Sequence, residues 1–117
     1  MEPSILISVK KTLGLSAEYE AFDEDVIIQI NSALAALTQL GVGPEEGYMI
    51  DSISETWDDF LADQISLLSL VKTYICLKVS LAFDPPQIGY LIDAKNKQIE
   101  EHAFRITVFR EELLNAG

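Results

Sequence analysis

The chain has 117 residues, 49% of them apolar, with a single cysteine, which suits one domain whose core needs no disulfide framework or structural metal. Nineteen acidic residues against eight basic ones give a net charge of −11, and that excess excludes a general nucleic-acid binder because phosphates would be repelled. The charge is also sorted: no Lys or Arg lies between Thr12 and Val71, an interval that holds twelve acids. Such a face is either a solvated surface that aids solubility, a contact for a basic protein, or a wall past which DNA slides without sticking.

The opening segment MEPSILISVKK has no basic leader and no small-residue cleavage site, so it is read as part of the fold rather than as a signal peptide. Pro3 and Ser4 start a helix over 4–13 with an apolar stripe at Ile5, Leu6, Val9 and Leu13. Lys10 and Lys11 fall in its last turn, where cations suit the helix dipole, and Gly14 stops it. After a polar connection, a second helix is expected over 24–40, capped by Asp23, with Ile27, Ile30, Ala33 or Leu34, Leu37 and Leu40 as its apolar face. Gly41 ends it. The following loop, 41–55, is rich in glycine, has a partly alternating piece at Tyr48–Ile53, and is long enough to suggest function.

A short helix with Trp57, Phe60 and Leu61 on its apolar side follows, and Ser52…Glu55 and Thr56…Asp59 are both credible starts. Residues 64–83 then carry two stripes, Ile65, Leu68, Lys72, Ile75, Val79, Ala82 and Leu67, Leu70, Tyr74, Leu77, Leu81. A helix apolar on two faces is expected to be wrapped by neighbours and to be central, with Leu77→Ala costing about 2–5 kcal/mol. The segment is long enough to span a membrane, but Lys72 and Lys78 lie inside it, and each costs about 2.5–3.5 kcal/mol to insert. A buried soluble helix is the expectation. Cys76 within it reads as a small core residue, consistent with a reducing cytosol.

Asp84-Pro85-Pro86 is a hard stop. Each proline disfavours helical geometry in the residue before it, and Pro86 can itself open the next helix. The motif should fix the angle between the two longest helices. The last helix starts between Pro86 and Tyr90 and runs to about Leu114, with Ile92, Ile99, Ile106 and Leu113 at heptad spacing. Lys95 and His102 spoil a zipper seam, so packing along a bundle is expected, with an extended tail beyond about 110. The fold class is therefore all-α: a single domain, 1–117, of four to five helices around the helix at 64–83, with the long loop 41–55.

Catalytic constellations are missing from the sequence. There is one histidine, His102, read as a surface or boundary residue. The paired acids Glu45-Glu46, Asp58-Asp59, Glu100-Glu101 and Glu111-Glu112 are sequence neighbours, which do not share a helix face. Asp23-Glu24-Asp25 lacks calcium-loop spacing, and Gly41–Pro44 is too short for a phosphate loop. No enzyme, cofactor or metal is expected.

Three blocks, FDEDVIIQINSALAALTQLGVGP at 22–44, TWDDFL at 56–61 and LVKTYICLKVSLAFDPP at 70–86, together resemble the head–tail connector proteins of long-tailed bacteriophages and prophages, also called head-completion or adaptor proteins. The resemblance covers about residues 4–104. It implies a small helical virion protein, assembled in the bacterial host cytoplasm, that forms a ring of roughly a dozen copies below the portal through head-to-tail contacts. It would extend the DNA channel, let DNA pass without specific binding, and offer a docking surface to the next tail-side head-completion protein. The candidate interface residues are Gly43, Pro44, Tyr48, Ile50 and Trp57 around the loop and Asp84, Pro85 and Pro86 at the corner. Asn31 and Gln39 are polar contact candidates on the second helix. Deleting 41–55 is expected to block assembly while leaving the helices largely intact. The alternative reading is a monomeric acidic regulatory or DNA-mimic module that binds a basic protein.

Overall fold

In a computed structural model, which describes residues 2–116, the chain is an all-α bundle with no strand among the described residues. Helix α1 spans Ile5–Thr12 and is capped by the Ser4 hydroxyl, which accepts from the Ile7 amide. Its stripe Ile5, Leu6 and Val9 is buried. Lys10 is not a solvated dipole partner. It is fully buried, donates to the carbonyls of Ala17 (3.2 Å) and Tyr19 (2.6 Å), and pairs with Asp23 Oδ1 at 2.7 Å. One ammonium thus ties the polar connection and the start of α2 to α1. One carboxylate to balance the charge and two carbonyls to accept its hydrogens are what make burial of a lysine tolerable.

The same pair changes the start of α2, which spans Asp23–Gln39. Asp23 does not cap it. Its carboxylate is taken by Lys10, and Phe22 occupies the cap position without a side-chain hydrogen bond. Val26, Ile30, Ala33, Leu34 and Leu37 are buried, and Ile27 and Leu40 pack at the edge. The helix ends in a Schellman motif. Gly41 adopts φ +84, its amide donates to Thr38, and the Val42 amide donates to Leu37.

Helix α3, Trp57–Leu61, uses the second of the two starts: the Thr56 hydroxyl accepts from the Asp59 amide at 3.1 Å. A kink at Ala62 (φ 48) ends it, and a 3₁₀ turn over Ala62–Leu67 leads into α4. Helix α4 is therefore Leu68–Phe83 rather than 64–83. The break falls where Gln64 leaves helical geometry and its side chain reaches back to the 41–43 loop.

α4 is central, touching α1, α2, α5 and the 3₁₀ turn. Val71, Tyr74, Ile75 and Val79 are buried. Neither stripe is wholly wrapped: in the second, Leu67 and Tyr74 are buried but Leu70, Leu77 and Leu81 only half-buried, and in the first the end positions Ile65 and Ala82 are exposed. α2 and α5 make its most extensive contacts, and α1 and the 3₁₀ turn make smaller ones. The stretch Trp57–Phe83 is long and apolar enough to cross a membrane by composition. It is not one rod, however. The kink leaves α4 with 16 residues, about 24 Å of helix against a hydrocarbon core of about 30 Å.

At the corner, the Asp84 amide makes the last bond of α4, to Ser80. Pro86 does not open α5. Gln87 and Ile88 complete the turn, and α5 spans Gly89–Ala116, with the Ile88 carbonyl accepting from Leu91. Ile99, Ala103 and Ile106 pack on the core, and Arg110 Nε donates to the Gly41 carbonyl at 2.9 Å. Residues 111–115 are exposed and continue as helix, in line with the expected run to about Leu114.

Candidate interaction surfaces

The loop 41–55 is long but not loose. At its start, Gln64 Oε1 accepts from the Gly43 amide (2.8 Å), while Gln64 Nε2 and Arg110 both donate to the Gly41 carbonyl. Gly43 lies so close to the Phe60 ring that a Cβ there would stand 2.4 Å from it. Pro44 and Gly47 form a tight turn, and Tyr48 packs on Phe60 with ring centroids 5.3 Å apart. Burial raises the Tyr48 phenol above its ordinary value, and Asp59 and Glu55 push it the same way, so it stays protonated.

Further along, Asn31 acts as a surrogate strand. Its side-chain oxygen accepts from the Ile50 amide (2.8 Å) and its nitrogen donates to the Ile50 carbonyl (3.0 Å). The carboxylate of Glu55 gathers the tip by accepting from the Asp51 and Ser52 amides and the Ser52 hydroxyl. This is the Ser52…Glu55 signal put to use as a turn instead of a helix start. Partial burial pushes the Glu55 carboxyl up, but hydrogen bonds from its own amide, from Asp51 and from Ser52 outweigh it and hold it below its ordinary value. The Glu55 carbonyl then accepts from the Ile5 amide, and the Trp57 amide donates to Pro3.

The eight candidate residues separate on these facts. Ile50 and Trp57 are each 2% exposed. Trp57 is a core anchor whose Nε1 donates to the Ser8 hydroxyl at 3.1 Å. Neither side chain is presented to a partner. Gly43 is held inward by Gln64, and Pro44 and Tyr48 are half-buried. Asp84 and Pro85 are exposed and Pro86 is half-buried. Of the polar candidates on α2, Asn31 is spent on Ile50 and Gln39 is exposed.

The exposed apolar residues lie elsewhere. Met49 (72% exposed) and Ile53 stand out from the loop tip on either side of Asp51. Tyr19, Phe22 and Phe83 form an aromatic cluster at the corner end of the bundle, with Phe22 edge-on to Phe83 at 5.5 Å. On α5, Phe104 (68% exposed) and Val108 are one turn apart on the side away from the buried Ile106. Helical periodicity places Phe104 there, but it offers no reason to single out an apolar residue that its own core does not need.

Two surface hollows flank these features. One, about 750 Å³, lies between the outer face of α2 (Ile28, Ala35) and loop residues Tyr48 and Met49. Another, about 400 Å³, lies between α1, α4 and α5 and is lined by Lys72 and Lys95 over Cys76 and Leu77. Among the described residues no group of three His, Cys, Asp or Glu side chains converges as a metal site would require.

A small helical body with a preformed loop tip and apolar residues turned away from its core is built to act by contact, as a component of an assembly. The family model described as phage connector protein matches residues 5–113, and the chain belongs to that family. It is thus a structural virion protein with a head–tail connector role. The match runs past the blocks of likeness and takes in most of α5. No curated protein and no solved structure matches the chain.

Proposed function

We propose that copies of this chain assemble in the host cytoplasm into a ring of about a dozen below the portal, with head-to-tail contacts closed by rotation. The ring lengthens the DNA channel and gives the next tail-side head-completion protein its docking surface. Phe104 and Val108 carry this reading. They are apolar, exposed, and on the side of α5 opposite the core, so their surface gains a role only when another protein covers it. The acid-only interval 13–71 supplies walls to which DNA does not stick. A monomeric acidic module that binds a basic protein would leave this apolar face without purpose.

Light scattering coupled to size exclusion, with negative-stain microscopy, tests the reading. The 13.0 kDa protomer is expected to give annular particles of about twelve copies, alone or on portal. A strict monomer in the presence of portal would overturn it.

A further inference from the structure

The groove between α1, α4 and α5 is unusual for this molecule because it is basic. Its lining includes Thr12, Lys72, Cys76, Leu77, Ser80 and Lys95, and no carboxylate. Lys95 reaches only the Ser80 hydroxyl, at 3.5 Å. Neither Lys72 nor Lys95 has a carboxylate partner among the described residues, where the ion pairs are Lys10–Asp23 and Arg105–Glu101. Two unpaired ammonium groups over an apolar floor, in a chain with an excess of eleven acids, mark a seat for an acidic, partly apolar segment.

The chain carries such a segment. At the loop tip the exposed Asp51 stands between the exposed Met49 and Ile53. The Glu55 carboxylate and the Asn31–Ile50 pair fix the backbone on both sides of it, so little ordering cost remains on binding. The tip hangs from α2, whereas the groove is lined by α1, α4 and α5. We propose that the loop tip Met49–Ile53 of one copy inserts into the Lys72–Lys95 groove of the next, with Asp51 between the two ammonium groups and Met49 and Ile53 against Cys76 and Leu77. This rests on the ring reading and names its joint. Each copy has one tip and one groove, so the contact is heterologous and propagates until a ring closes. Charge favours this pairing over tip on tip, which would oppose like carboxylates.

The lone cysteine makes the joint readable. In an Ile53→Cys variant, Cys76 of one copy would lie beside the new thiol of its neighbour. Assembled particles, confirmed by microscopy with portal present, are treated with a mild thiol oxidant and run on a denaturing gel without reductant. The expected result is a ladder that extends to the ring number, disappears with reductant, and is absent from the Ile53→Cys/Cys76→Ser double variant. Met49→Cys should behave alike. Annular particles that give monomers, or dimers only, would overturn this joint and leave the ring reading standing. No annular particles from the wild-type chain, even with portal, would overturn both. As a second measure, Lys72→Glu is expected to raise the concentration needed for assembly about tenfold, and Asp51→Lys added to it to recover most of that loss. A double variant that assembles worse than either single one would count against the pairing.

Discussion

The two connections that flank α3 and α4 fix the chain by opposite means. The corner at 84–88 is rigid through covalent structure, because two prolines restrict the backbone whatever surrounds them. Its ends are marked by backbone bonds from Asp84 to Ser80 and from Leu91 and Ile92 to Ile88. The loop 41–55 has no proline after Pro44 and is fixed by side chains that arrive from elsewhere: Asn31 from α2, Gln64 from the 3₁₀ turn and Arg110 from α5. Local rigidity survives changes at a distance, whereas borrowed rigidity does not. The loop is also part of the core, since Val42 and Ile50 are buried with the helices.

The largest break in this comparison is deletion of 41–55. The expectation that helices survive it does not hold once the loop is seen to carry two core side chains. Each is worth about 1.5–3 kcal/mol of burial, and the deletion also removes the Glu55 carbonyl that receives Ile5. Against a total stability of about 5–15 kcal/mol, the expected outcome is loss of the cooperative thermal transition by circular dichroism. A variant that melts as the wild type does would show that the loop is an appendage.

A finer cut is Asn31→Ala. It leaves the Ile50 amide and carbonyl without partners and should cost about 2 kcal/mol, read as a lower urea midpoint at unchanged slope. At the corner, Pro85→Ala is expected to cost less than about 1 kcal/mol, because it acts mainly on the unfolded chain. Leu77→Ala belongs between these, at about 1–2 kcal/mol, below the range for a fully buried leucine, because Leu77 is only half-buried. If Pro85→Ala proved costlier than Asn31→Ala, the assignment of local and borrowed rigidity would have to be reversed.

The contrast also explains what could be read from the sequence. The corner, the glycine stop at Gly41 and the apolar face of α2 follow from residues within a turn or two of each other. Family likeness was legible because its three blocks keep their order. The clamps were not legible. Asn31 and Ile50 are 19 residues apart, Gly43 and Gln64 21, and Gly41 and Arg110 69, and no local pattern announces such partners. Lys10 misled for the same reason. Its position suits the dipole of α1, but Ala17, Tyr19 and Asp23 fold back over it. Trp57 and Ile50 looked like contact residues beside a long loop, yet that loop is anchored through them. Residues that are presented, among them Met49, Ile53 and Phe104, carry no signal in one sequence beyond being apolar.

The smallest effect sharpens the comparison most, because it touches only the loop, through a clamp of the loop's own. The Glu55 carboxyl sits below its ordinary value of 4.5 in the folded protein, since as a carboxylate it accepts the tip hydrogen bonds. A group with a lowered folded value stabilises above the unfolded value, and that contribution is lost as pH falls through the folded one. The tip should therefore loosen as pH falls through the lowered Glu55 value, while the corner, which is held by prolines and backbone bonds, stays as it is. Native-state hydrogen exchange separates the two. After correction for intrinsic rates, the Asp51 and Ser52 amides should lose protection in acid, and the Asp84 amide should not. The group is mostly solvated, so the change is small and confined to the tip. Glu55→Gln should remove the pH dependence, because an uncharged amide keeps an oxygen acceptor but has nothing to titrate. Equal loss of protection at tip and corner would mean that acid opens the whole bundle, and that Glu55 is not what holds the tip in shape.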